Sequence, residues 1–128
     1  MNLLILLGRV LFGGYFIRAG YYHFKNINMM AGYAGSKGVP MPKLAVGGTG
    51  AMLVLGGLGI LLGVYVQIAV LLLAVFLIGT TFKMHDYWNV KDPMQKMGES
   101  VNFYKNLGLL GGVLMLLAIP VPWIMSLF

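Results

Sequence analysis

A chain of 128 residues that is 59% hydrophobic and only 9% charged cannot cover itself for water, since soluble domains carry about 25% charged residues. Its mean hydropathy of +0.87 points to a bilayer as the solvent. The net charge of +6 comes from lysines at the ends of apolar runs and in loops, a distribution that suits anionic lipid headgroups and argues against nucleic acid as a partner.

Four apolar runs, 3–24, 44–63, 65–84 and 103–125, approach the ~20 residues a spanning helix needs. They are long and lack alternation, so helices are expected rather than barrel strands. The expected fold is an all-α membrane protein: a four-transmembrane-helix bundle over residues 1–128, a single domain, with short interfacial helices in the 1–2 and 3–4 connections.

The first run has no basic residue ahead of its apolar core and reads as a retained span rather than a cleaved signal. Arg9 and Arg18 lie two and a half turns apart, on opposite faces. Arg9 is expected to snorkel out to the headgroups. Arg18 shares a face with Lys25 and reads either as a second lipid anchor or as part of a site. The segment 28-NMMAGYAGSKG-38 reads as a short surface helix, and 38-GVPMPK-43 stops it and leads stiffly into the second span. The connection around Val64 to Gln67 is short, so spans two and three are antiparallel neighbours.

Further on, 92-DPMQ-95 supplies an N-cap in Asp92, a proline at the first helical position and Gln95 at the third. An apolar stripe, Met94, Met97, Val101 and Tyr104, then runs beside a polar one, Gln95, Glu99, Asn102 and Asn106. At the end of the chain, Trp123 suits an interfacial aromatic belt. The pairs Gly47 and Ala51, Gly59 and Gly63, and Gly108 and Gly112 have the small-xxx-small spacing of helix packing. That spacing leaves open whether the partner helix belongs to this chain or to a second copy in a homo-oligomer.

Lys25, Lys37, Lys43, Lys83, Lys91, Lys96 and Lys105 fall on one side of this topology and only Arg9 near the other. The positive-inside rule therefore places the long loops in the cytoplasm and both termini outside, in the inner (plasma) membrane.

The polar segments 21-YYHFKN-26, Tyr33 to Lys37 of the surface helix, 83-KMHDYW-88 and 102-NFYKN-106 meet at that cytoplasmic boundary. They nominate a ligand-binding head of Arg18, Tyr22, His23, Lys25, His85, Asp86, Trp88, Asn102, Lys105 and Asn106, with Lys105 expected to pair with Asp86. A quinone or another amphipathic small molecule suits such a head, an apolar pocket with a few interfacial donors; satisfied interfacial aromatics are the plainer alternative. Haem is disfavoured: the chain has only two histidines, each at a helix end. A metal site lacks a three-ligand motif, and neither a nucleophile motif nor a nucleotide fingerprint is present. The chain has no cysteine and so no redox thiol. No catalytic residue is assigned.

The segments 8-GRVLFGGYFIRAGYYHFKN-26, 33-YAGSKGVPMPKLAV-46, 56-GGLGILLG-63, 84-MHDYWNVKDPMQ-95 and 102-NFYKNLGLLGG-112, in this order and spacing, resemble the DoxX-like membrane proteins. The resemblance implies a four-helix bundle of the inner membrane. It also implies association with membrane oxidoreductase systems, such as a subunit of a thiosulfate:quinone oxidoreductase and partners of sulfur-transfer and superoxide-handling enzymes. An accessory or anchor subunit follows more naturally than a self-contained enzyme. A small-molecule or lipid carrier, an oligomeric pore and a structural scaffold are the alternatives. One departure stands out: many members carry glutamate where this chain has Leu53, which removes a carboxylate from the second span.

Overall fold

The computed structural model describes residues 2–123, and among them every regular element is helical. There are five α-helices: α1 (Asn2–Lys25), α2 (Ile27–Ser36), α3 (Pro42–Leu62), α4 (Val66–Met84) and α5 (Pro93–Leu116). A single 3-10 turn, Tyr87–Asn89, lies between α4 and α5. The 1–2 connection is helical as expected, while the 3–4 connection is this one turn followed by the polar first half of α5.

Three of the helices are long and apolar enough to cross a membrane, namely α1, α3 and α4 with its extension to Asn89. The fourth apolar run is cut short. It was expected to span 103–125, but α5 ends at Leu116 and the chain turns through Leu117 to Ile119; residues 124–125 lie outside the described residues. The first half of α5 is too polar to count as a span, because it carries Gln95, Lys96, Glu99, Ser100, Asn102 and Lys105.

Helix α1 lies along α3, α3 along α4, and α4 along α5. The α1–α3 contact is the tightest, and glycine makes it so. A Cβ on Gly57 would sit 2.7 Å from the carbonyl oxygen of Gly13, and one on Gly20 would sit 2.7 Å from that of Gly50. In lipid there is no hydrophobic drive between helices, so such backbone approach supplies the attraction. Gly59 plays the same part against α4, where its Cβ would be 2.6 Å from that of Ala69.

The other expected packing pairs fare differently. Gly47 would make only ordinary contact, 3.8 Å from Ile27 Cδ1. Gly63 is a turn residue at φ 70°, ending α3 in the left-handed conformation. Gly108 faces open space, and Gly112 reaches only the ring of Phe12 at 3.8 Å. That last contact is typical of the α1–α5 seam, where the two helices meet through side chains rather than along their backbones. The core threads all four long helices through Phe16, Leu53, Ile60, Leu73, Leu77 and Val113. Helix α2 packs across α3 through Ala31, Ala34 and Val46.

The N-terminus of α5 forms as expected, with Asp92 accepting from the Gln95 amide at 3.0 Å and Pro93 in the first turn. Its two stripes face different ways, with the polar one passing from exposed Gln95 to buried Asn106. The apolar one looks outward, Met94 being 77% exposed.

Two residues expected at the lipid boundary are inside. Arg9 is only 4% exposed. Its Nε donates to the Ile60 carbonyl at 3.1 Å and its Nη2 to the Leu61 carbonyl at 2.9 Å. These belong to the last turn of α3, whose carbonyls have no helical partner. The adjacent Gly59 carbonyl is taken by the amides of Gly63 and Val64. A snorkelled arginine would leave these two carbonyls without the donors that cap the helix end. Trp123 is likewise 4% exposed. Its indole donates to the Ile119 carbonyl at 3.4 Å, and the Arg9 guanidinium lies 5.8 Å from its ring centre.

Candidate functional site

At the other end of the bundle the chain gathers its charge. Lys37, at the C-terminus of α2, places Nζ 2.8 Å from Asp86 Oδ1 and 3.3 Å from Glu99 Oε2. His85 Nδ1 donates to Glu99 Oε1 at 3.2 Å. The Tyr33 hydroxyl lies against Glu99 Oε2 and the Met84 carbonyl, Asn89 donates to Asp86 at 3.1 Å, and Asn102 donates to Glu99 at 3.4 Å. The network ties α2, the α4–α5 connection and α5 together. It uses two of the chain's three carboxylates; the third, Asp92, caps α5.

The expected pair of Lys105 with Asp86 is therefore replaced by Lys37 with Asp86, because α2 folds its C-terminus back onto the connection. Burial raises the Glu99 carboxyl, but hydrogen bonds from Tyr33, His85 and Asn102 more than offset it, and the net shift is down. Burial lowers Lys37, yet its bonds to Asp86 and Glu99 prevail and the net shift is up. Burial first, then the bond to Glu99, pushes the Tyr33 hydroxyl up.

A depressed Glu99 contributes stability that is present above its ordinary value of 4.5 and is lost as pH falls through the folded value. The wild-type protein is thus expected to lose thermal stability on acidification below that range. Glu99→Gln should start about 1–2 kcal/mol less stable at neutral pH, between the exposed and buried ion-pair cases. It should also show a shallower acid dependence, read as unfolding midpoint against pH in detergent. Parallel curves for the two proteins would refute this role.

Directly beneath the network is a cavity of about 530 Å³, within the ~300–1,000 Å³ typical of small-molecule sites. Its walls are apolar, with Phe16 and Ala19 of α1, Leu53 of α3, Phe76 and Leu77 of α4 and Leu109 of α5. Its polar lining comes from Tyr15, His23, Tyr33, Thr49, Thr80, Lys83, His85, Lys105 and Asn106.

His23 Nδ1 lies 3.2 Å from the Val46 carbonyl, which can only accept, so that nitrogen carries the proton. Thr49 donates its own hydroxyl proton to the Ala45 carbonyl at 2.8 Å and stands 3.2 Å from the same ring nitrogen. Phe76 packs edge-on at 5.8 Å. Since His85 Nδ1 is held by Glu99, each histidine keeps its Nε2 without a protein partner among the described residues.

Of the expected head, His23, His85, Lys105 and Asn106 line this cavity together, so the two histidines do share one site. Asp86 and Asn102 serve the network above it. Arg18, Tyr22 and Lys25 are exposed on α1 and line no part of the cavity. Trp88 packs edge-on against Tyr87 and Phe103, at 5.3 and 5.5 Å, and lines no part of the cavity. The expected head omits Tyr33, Lys37 and Lys83, although their segments are placed at this boundary, and it omits Thr49 and Glu99, which lie outside those segments. The scarcity of carboxylates was a usable signal: with only three in the chain, each one near the membrane needs a cation, and Glu99 on the polar stripe of α5 had none assigned.

The apolar helices and this polar-headed cavity define an α-helical membrane protein. The DoxX family model matches residues 4–86, and the chain belongs to that family. The match takes in α1 to α4 with His23, Lys37, Lys83, His85 and Asp86; Glu99, Lys105 and Asn106 lie beyond it. No curated protein and no solved structure matches the chain. Leu53 is a buried wall of the cavity, so a glutamate at this position, as the resemblance leads one to expect, would stand in the cavity itself.

Proposed function

We propose that the protein is a non-catalytic accessory or anchor subunit of a quinone-linked or oxidative-stress-related oxidoreductase system of the inner membrane, holding an amphipathic molecule in the cavity between its helices. The observation that carries this reading is the cavity: apolar walls, a few polar groups at one end, and a position between helices at the edge of the membrane-spanning region. Asp86 and Glu99 support the non-catalytic form, since both are engaged in bonds that hold α2, the connection and α5 together. Were a quinone the molecule held, His85, Lys105 and Asn106 would be the residues to hold its carbonyls and the apolar walls its tail, and it would supply two-electron carriage to the partner enzyme.

In this reading α5 completes a four-helix bundle in the bilayer, α2 and the 3-10 turn lie at the interface, and the long loops face the cytoplasm. Gentle extraction from native membranes is expected to bring down a redox enzyme together with quinone or lipid; recovery of the protein with neither would overturn the assignment. A cysteine introduced near residue 2 is expected to react with impermeant reagent in intact cells, and labelling only after lysis would reverse the topology.

A second reading, a carrier of small molecules or lipids, is favoured by the loosely closed α1–α5 seam. Substrate-dependent flux in liposomes containing the purified protein alone would establish it.

A further inference from the structure

The cavity carries a charge imbalance that the accessory role does not explain. Lys83 on α4 and Lys105 on α5 both line it, and neither has a carboxylate partner among the described residues. The chain contains only three carboxylates. Asp86 and Glu99 are bound to Lys37, and Asp92 accepts from the α5 backbone. None of the three lines the cavity. Asn106 and Thr80 add neutral donors on the same two helices.

The solvent decides what this means. An acyl tail moving from the bilayer into apolar walls gains little, because lipid tails are already as apolar as leucine. Selection therefore falls to the head. A neutral head would use neither ammonium group, although both reach the cavity mouth from its two sides. An anionic head would neutralise them through charge-assisted hydrogen bonds, and lysine serves carboxylate or phosphate as a point charge without demanding a planar fork.

We infer that the cavity binds a single-chain amphiphile with an anionic head, a fatty-acid carboxylate or a monoacyl phosphate. The head sits between Lys83 and Lys105, and the tail enters from the bilayer through the α1–α5 seam. This rests on the reading of the cavity as an amphiphile site and not on the redox association.

Purified full-length protein in a neutral detergent, titrated with dansyl-labelled undecanoic acid, tests it. Saturable binding is expected, displaced by palmitic acid and by monopalmitoyl phosphate but not by methyl palmitate. Lys83→Gln and Lys105→Gln should each weaken binding about ten-fold, and the double variant more. Lys43→Gln, an exposed lysine outside the cavity, should leave binding unchanged. Both cavity lysines are exposed, and an unaltered unfolding midpoint shows that the variants keep the fold.

Equal displacement by the acid and its methyl ester, or undiminished binding in the double variant, overturns the proposal. Displacement by inorganic phosphate as effective as by the monoacyl phosphate overturns the part assigned to the tail. Displacement by decylubiquinone but not by palmitic acid overturns the anionic head and leaves a quinone site standing. Absence of saturable binding by any of these ligands removes the amphiphile site altogether, while co-extraction of a redox enzyme would still support the accessory role.

Discussion

Arg9→Ala is expected to be among the most destabilising single substitutions in the protein, costing about 2–6 kcal/mol, because it strands two carbonyls at about 1–3 kcal/mol each. The Ile60 and Leu61 carbonyls receive the guanidinium at 3.1 and 2.9 Å, and their residues close α3 inside the bundle. The bond to Ile60 is buried and that to Leu61 partly so, which leaves water poorly placed to replace the lost donors. An arginine inside a span is itself unfavourable by ~2.5–3.5 kcal/mol on an insertion scale, so its place is retained only through what it bonds.

Arg9→Lys is expected to recover part of the loss, since one ammonium cannot reproduce the fork that serves two carbonyls at once. Arg9→Met, which keeps much of the bulk against Trp123 but donates nothing, should stay close to the alanine variant. Thermal unfolding in detergent, followed by circular dichroism, reads all three. An alanine variant as stable as wild type would return Arg9 to the lipid-anchor role that its place in the sequence suggests.

Hydropathy and local chemistry specify part of this structure, and contacts between distant segments specify the rest. The three apolar runs that became α1, α3 and α4 were read to within two residues at each end, because hydropathy and length alone specify a span. Asp92, Pro93 and Gln95 were read correctly as a helix start, because capping is local chemistry. What failed was pairing between distant segments. Arg9 meets residues 51 and 52 positions away, and Lys37 meets Asp86 across 49. Neither separation leaves a trace in local pattern.

The cavity residues divide in the same way. His23, His85, Lys105 and Asn106 were nominated because topology brings their helix ends to one side. Lys37 and Lys83 fall in the boundary segments and among the orientation charges, but nothing in their local pattern assigns them a partner or a cavity. Trp88 was nominated for its chemistry, but the 3-10 turn sets it against Phe103, outside the cavity lining. The glycines show the limit of motif spacing. The four-residue pairs drew attention, yet the closest α1–α3 contacts come from Gly13 and Gly20 against Gly57 and Gly50, which recur at seven.

Those seven-residue glycines carry the other large expected effect. A Cβ on Gly57 would stand 2.7 Å from the Gly13 carbonyl oxygen and 2.9 Å from the Ile17 amide nitrogen. Both are backbone atoms of α1, so no rotamer change relieves the clash and the helices must separate. Gly57→Ala is expected to cost about 1–3 kcal/mol, the range for overpacking a close contact, and Gly57→Leu more. Gly111→Ala is the control, since its Cβ would meet nothing within 4 Å. It should be neutral or slightly stabilising, because alanine is the better helix former by ~1 kcal/mol.

The damage should also reach the cavity. Farther along the same contact, a Cβ on Gly50 would lie 2.9 Å from that of His23, so the spacing that sets α1 against α3 also sets His23 against Val46 and Thr49. Separation of α1 from α3 in Gly57→Ala would lengthen the 3.2 Å contact of His23 with Val46 and loosen one wall of the ligand site. Lower stability is therefore expected together with weaker binding of the dansyl probe, whereas Lys105→Gln should weaken binding alone. If Gly57→Ala unfolds at the same temperature as Gly111→Ala, close glycine packing is not what holds α1 to α3.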